Sequence, residues 1–158
     1  MAERLLIMRH GEAGPGHPDV ERELTGHGQQ EVRRMAAWLA DRDDLADLRL
    51  LVSPYRRARQ SAAALAEALE AEVETLPLIT PDDPPQAVAD WLLEQSPGRP
   101  LLMVSHMPLV GALTGLLVEG RADRGLAFPT AGVAELEAEV WAAGCARLAR
   151  FMAPADLG

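Results

Sequence analysis

A chain of 158 residues is long enough for one domain with a substantial core and too short for two comfortable ones. It is 48% hydrophobic and 25% charged with a net charge of −9, a globular composition whose acidic surface argues against broad nucleic-acid or anionic-membrane binding but leaves room for a small arginine-lined pocket. The single cysteine, Cys145, excludes an internal disulfide framework and a cysteine-rich zinc site, and no apolar run approaches a membrane span, so a soluble, cytoplasmic protein is expected.

The apolar run at residues 5–8 predicts a short strand, followed by a Gly/Pro loop over 13–18. Thr25 then caps a helix whose Val32, Met35, Ala36 and Leu39 follow helical spacing. Residues 48–52 predict a second buried strand. Ser53-Pro54 after it predicts an N-cap with proline in the first helical position, and Ala58, Ala62, Leu65, Ala66 and Leu69 supply that helix's apolar face. A third strand over 73–76, a helix over 86–94 after the PDDPP turn, a fourth strand over 101–104 and a helix over 108–118 continue the alternation. Near the end, Ala134, Leu136, Ala138 and Val140 alternate with Glu135, Glu137 and Glu139, predicting a strand with one wet face, and Ala143-Gly144 turns the chain into 146–152. The whole predicts one domain over 1–158: a three-layer α/β/α sandwich, its sheet mostly parallel with an antiparallel C-terminal hairpin at one edge.

The polar residues fall at strand ends. Arg9-His10 ends the first strand, Ser53-Pro54-Tyr55-Arg56-Arg57 the second and Ser105-His106 the fourth. In an open parallel sheet these ends share one edge, where ligands bind. Arginine forks suit phosphate oxygens, a neutral imidazole attacks phosphorus, and a second, cationic imidazole neutralises oxygen charge during transfer. Gly11 reads as a place where substrate approaches the backbone, and the helix after Ser53 turns its positive end to the same rim. His17 and His27 read as structural. His10-x-Glu12 echoes the H-x-E of zinc deaminases, but one cysteine cannot complete that site, so no metal is expected.

With these residues in hand, the sequence resembles the histidine phosphatase superfamily, the phosphoglycerate mutase-like group. Arg9-His10-Gly11-Glu12 matches its R-H-G-[ED] signature, and LTGHGQQEV (24–32) resembles L-T-x-x-G-x-x-[QE]. SPYRRARQSA (53–62) resembles S-P-x-x-R-A-x-Q-[ST]-A, and VSHMPLV (104–110) the second-histidine segment. The short length without mutase insertions is most similar to the bacterial phosphohistidine phosphatases of the SixA type. The resemblance implies His10 as the phosphorylated nucleophile and Arg9, Arg57 and His106 as its phosphate pocket, with no cofactor. Helical periodicity does not choose among Arg56, Arg57 and Arg59; the R-A of the motif selects Arg57.

The sequence departs from the family at the general acid. The stretch TLPLITPDDPP carries no glutamate, which leaves Asp82, Asp83 and Glu12 as candidates, the aspartates reading first as turn formers. A weak acid suits a phosphoramidate better than a sugar phosphate, because imidazole leaves more readily than an alkoxide. The expected substrate is therefore a phosphohistidine protein, with a small phosphorylated molecule as the alternative. A phosphoglycerate-type mutase and a non-catalytic phosphate- or phosphoprotein-binding module are the rivals. Leu109, Val110, Leu113 and Leu116 are expected in the core rather than an interface, and a monomer is expected.

Overall fold

The computed structural model describes residues 2–96 and 98–158. Its strands are β1 (Glu3–Arg9), β2 (Arg49–Val52), β3 (Val73–Thr75), β4 (Leu101–Ser105), β5 (Val133–Ala138) and β6 (Arg147–Met152). Its helices are α1 (Gly26–Ala40), α2 (Arg56–Leu69), α3 (Pro85–Leu93) and α4 (Leu109–Glu119). The six strands form one sheet in the order β3-β2-β4-β1-β5-β6. Pairs β3–β2, β2–β4 and β4–β1 are parallel, while β5 runs antiparallel to both β1 and β6, as the alternation and the closing hairpin predict.

Side-chain parity divides the core into two layers. Leu5 and Ile7 of β1, Leu51 of β2 and Leu101 and Met103 of β4 meet α3 and α4 through Val88, Leu92, Leu113 and Leu117. Leu6, Met8, Leu50, Val52, Leu102 and Val104 point the other way, onto Val32, Met35 and Leu39 of α1 and Ala58, Ala62 and Leu65 of α2. A strand covered on both faces needs a continuous apolar run, and β1, β2 and β4 have one. Among the described residues no helix is long and apolar enough to cross a membrane.

Three local expectations are corrected. Helix α2 begins at Arg56 with Tyr55 at its N-cap, so Ser53 is not the cap and Pro54 is not its first residue. The Ser53 hydroxyl is bound elsewhere, accepting from the Tyr55 amide and meeting His106. Gly11 is bare because a helix comes close: a Cβ there would lie 2.6 Å from the Gly28 carbonyl of α1 and 2.8 Å from Val32.

The third concerns β5, whose glutamate face is not simply wet. Glu135 is only 4% exposed, and Arg42 grips it with Nη1 and Nη2 while Arg4 stands 3.4 Å away. Burial alone would raise its pKa, but the hydrogen bonds and charge of Arg42 outweigh this and hold the carboxyl below its usual range. A β-bulge between Glu135 and Leu136 marks the same place in the hairpin.

Removing Glu135 leaves Arg42 and Arg4 with only the more exposed Asp44 as carboxylate partner, so the loss falls short of that of a fully stranded buried charge. Glu135→Ala should lower unfolding free energy by about 2–4 kcal/mol in denaturant titration. Removing Arg42 in the same chain should add much less than its own single cost. Additive single costs would show that the pair does not hold the hairpin.

Candidate active site

Register creates the site. Arg9 pairs with Ser105 across β1–β4, and Val52 with Val104 across β2–β4, so the three strands end level. The next residues, His10, His106 and Ser53, emerge side by side at that edge, as strands about 4.8 Å apart require. The His10 and His106 rings stand 5.0 Å apart in edge contact, and His106 touches the Tyr55 ring at 4.9 Å. Both histidines continue the even-numbered parity of Met8 and Val104, which faces α1 and α2.

His10 is 7% exposed and its ring is fixed at both ends. Nδ1 lies 2.7 Å from the Gly11 carbonyl, which only accepts, so Nδ1 carries the proton. Nε2 therefore holds the lone pair, and Arg57 Nε donates to it at 3.3 Å. Burial above all, with the charges of Arg57, Arg9 and Arg22, pushes the His10 pKa down to about 4. The ring is neutral and held in one orientation, with its Nε2 lone pair toward Arg57.

Arg57 comes from the first turn of α2 and is 5% exposed. Its outer nitrogens donate to Asp19, Nη1 to the carbonyl at 2.8 Å and Nη2 to Oδ2 at 3.2 Å. Asp19 opens a 3-10 turn (Asp19–Glu21) and is also bound by Arg22 Nη1 at 3.0 Å. The hydrogen bond from Arg22 chiefly, then the charge of Arg57, holds the Asp19 carboxyl below its usual range against a smaller desolvation effect.

His106 is 1% exposed, and its Nε2 lies 2.7 Å from Ser53 Oγ. Burial first, then His10, Arg57 and Arg9, lowers its pKa to about 3. Burial beside two guanidiniums thus favours the neutral His106 ring in the free site, and the cationic second imidazole expected during transfer would need an arriving anion to hold its proton. Its Nδ1 and Arg9 Nε are two of three buried side-chain nitrogens without a partner among the described residues. Such orphans cost about 1–3 kcal/mol each, which an oxyanion would recover at Arg9 Nε, and at His106 Nδ1 once that nitrogen carries a proton.

The loop before β5 forms a further wall. The Arg9 amide donates to Gly132, Arg9 Nη1 to Phe128, and the Ala131 amide to His10, at 3.0, 2.8 and 2.9 Å. Glu31 of α1 ties the walls together, accepting from the Glu12 amide at 2.9 Å and from Thr130 Oγ1 while facing the charge of Arg9. Sequence reading missed Asp19, Glu31, Arg22 and this loop as parts of the site; only Glu31 stood in a quoted motif, as the last letter of L-T-x-x-G-x-x-[QE].

Arg9, His10, Arg57 and His106 therefore gather at one edge. The acid candidates are differently engaged. Glu12 Oε1 accepts from Thr25 Oγ1 at 2.8 Å beside the α1 cap, and Asp83 Oδ2 accepts from the Thr80 amide and hydroxyl, closing a turn. Asp82 is exposed. His17 is exposed, and exposed His27 stands 3.6 Å from Glu31. Among the described residues no group of three or more His, Cys, Asp or Glu has metal-holding geometry. A cleft of about 300 Å3 lies at the opposite strand ends, lined by ion-paired Arg49, Glu74 and Arg99 rather than by a nucleophile.

The comparisons with known proteins agree with this chemistry. The model of the histidine phosphatase superfamily (branch 1) matches residues 5–80. Phosphohistidine phosphatase SixA of Escherichia coli is 34% identical over 138 residues, covering 84% of each chain. This chain belongs to the histidine phosphatase superfamily. The SixA homolog of Haemophilus influenzae is 33% identical over 84% of this chain and 86% of its own. A solved structure of the protein histidine phosphatase SixA complexed with tungstate superposes with a TM-score of 0.86 at 31% identity, covering 98% of this chain and 99% of that one. The fold is phosphoglycerate mutase-like and the activity that of a histidine phosphatase, a hydrolase of phosphate groups.

The neutral histidines of this phosphatase are directly measurable. Because both pKa values are lowered, the rings should keep their neutral-form NMR shifts as the pH of ligand-free protein falls from 7.5 to 5.5. Titration of either ring near the ordinary 6.5 would contradict the charge arrangement described above.

Proposed function

We propose that this chain hydrolyses phosphohistidine on a protein through a covalent phosphohistidine on His10, with all 158 residues acting as one domain. The observation that carries the chemistry is the His10 ring itself: its proton is committed to Gly11, and its Nε2 lone pair faces the Arg57 guanidinium 3.3 Å away. In the first step Nε2 attacks phosphorus, and the bond from phosphorus to the substrate nitrogen breaks as that imidazole leaves. Water then attacks the phosphoenzyme, the bond to Nε2 breaks, and phosphate departs.

Arg9, Arg57 and His106 hold the equatorial oxygens, so that fixed cations and N–H donors meet the charge of the transferring group. The tungstate bound by the SixA structure is likewise a tetrahedral oxyanion, which supports an oxyanion pocket here. The choice of phosphohistidine rests on the curated relatives together with the engaged states of Glu12 and Asp83. With Glu12 and Asp83 each already accepting a hydrogen bond and Asp82 exposed beside the Asp83 turn, a leaving imidazole is favoured over an alkoxide that must find a proton.

The test compares a phosphohistidine peptide with an aryl phosphate, with and without chelator. Wild type should turn over the peptide whether or not chelator is present, and His10→Ala should lose at least about a thousandfold of that activity. Arg57→Ala should lose about a hundredfold in kcat/KM, as loss of one charge-stabilising donor does. Undiminished turnover by the His10 variant would refute the covalent route. Turnover of the aryl ester alone would redirect the reading to a small-molecule phosphatase.

A further inference from the structure

The carboxylate closest bound to the nucleophile's arginine belongs to Asp19, and its position is fixed rather than incidental. Arg57 Nη2 donates to its Oδ2 while Nη1 holds the Asp19 backbone carbonyl, and Arg22 Nη1 donates to Oδ1, so each carboxylate oxygen already accepts one guanidinium N–H and keeps a free lone pair. Its side chain nevertheless stays 56% exposed, at the lip of a pocket whose histidines are buried. The neighbouring charges do not cancel it further. Arg56 is paired with Glu21 and Glu23, Arg9 is turned to Phe128 and the Glu31 charge, and the field of Asp19 is felt at His106.

We propose that Asp19 is the specificity-determining residue of this site, accepting the ring N–H of a phosphohistidine substrate and so favouring it over phosphate esters. This rests on the phosphohistidine reading above. A phosphohistidine ring protonated on the nitrogen away from phosphorus is cationic, and a nearby carboxylate stabilises that form. When the N–P bond breaks, its electron pair returns to the ring nitrogen, the bond from His10 Nε2 to phosphorus forms, and the ring departs as neutral imidazole. No further proton is needed at that moment. An ester gains nothing, because its leaving oxygen develops negative charge beside the same carboxylate. Asp19 thereby replaces a general acid with an anion that keeps the substrate's own proton in place.

The experiment uses the full chain as wild type, Asp19→Asn and Asp19→Glu, with a phosphohistidine peptide and p-nitrophenyl phosphate across pH. Asparagine keeps an acceptor for Arg57 and removes the charge. The Asn variant should lower the ratio of peptide to ester kcat/KM roughly fivefold, the scale of a partly exposed charge contact. The basic limb of kcat for the peptide should move to lower pH, because that limb reports the bound substrate's proton. The Glu variant should recover part of both effects. Equal losses on both substrates with an unmoved limb would overturn the proposal alone and reduce Asp19 to a support for Arg57. A wild type that cleaves the ester and not the peptide would overturn the substrate reading, and this inference with it.

Discussion

The molecule depends on one register: β1 and β2 both pair in parallel with β4 so that Arg9, Ser105 and Val52 end within a residue of one another. Everything chemical is one step beyond that line. A slip of one residue would reverse the face of every side chain, burying Arg9 in place of Met8 and turning His10 away from α2. The apolar runs enforce the register, since Leu5 through Met8 are wholly buried and alternate between two separate helix layers. The same burial that stabilises the sheet thus fixes the spacing of the two histidines.

The second constraint is charge. Arg9 and Arg57 act on both buried imidazoles and Arg22 on His10, a cluster whose repulsion is eased by Asp19 bonded to Arg57 and Arg22 and by the charge of Glu31 near Arg9. The balance is uneven by design of position. Asp19 bonds Arg57 and Arg22 and Glu31 acts on Arg9 through charge alone, while the histidines feel mostly the cations and burial, and so stay unprotonated. Arg9 Nε and His106 Nδ1 have no partner among the described residues, and under the proposed function a phosphoryl group would supply the missing negative charge there.

Much of this was legible because periodicity and strand-end position are local signals. The strands and helices followed from apolar spacing, and Arg9, His10, Arg57 and His106 from their places after apolar runs and from the family motifs. What escaped has a common cause: it depends on contacts between segments far apart in the chain. Asp19 looks like a loop residue until Arg57, 38 positions away, is folded against it. Glu135 looks like a solvent-facing strand glutamate until Arg42, 93 positions away, covers it. Ser53 is a good cap by composition, yet tertiary demand from His106 takes its hydroxyl and the helix starts later.

The glycines make the same point about motifs. Gly11 stands in the R-H-G signature, but its bareness serves packing. A Cβ on Gly28 would overlap the Glu12 backbone, just as one on Gly11 would press on Gly28, so the two glycines let α1 dock directly on the loop that follows His10. That docking places Glu31 within reach of the Glu12 amide and Thr130, and hence beside Arg9. The L-T-x-x-G-x-x-[QE] segment is then intelligible without any contact to substrate: threonine caps the helix, glycine admits the loop, and the glutamate fastens it. Short motifs in this fold mix atoms that react with atoms that hold, and only the three-dimensional contacts tell them apart.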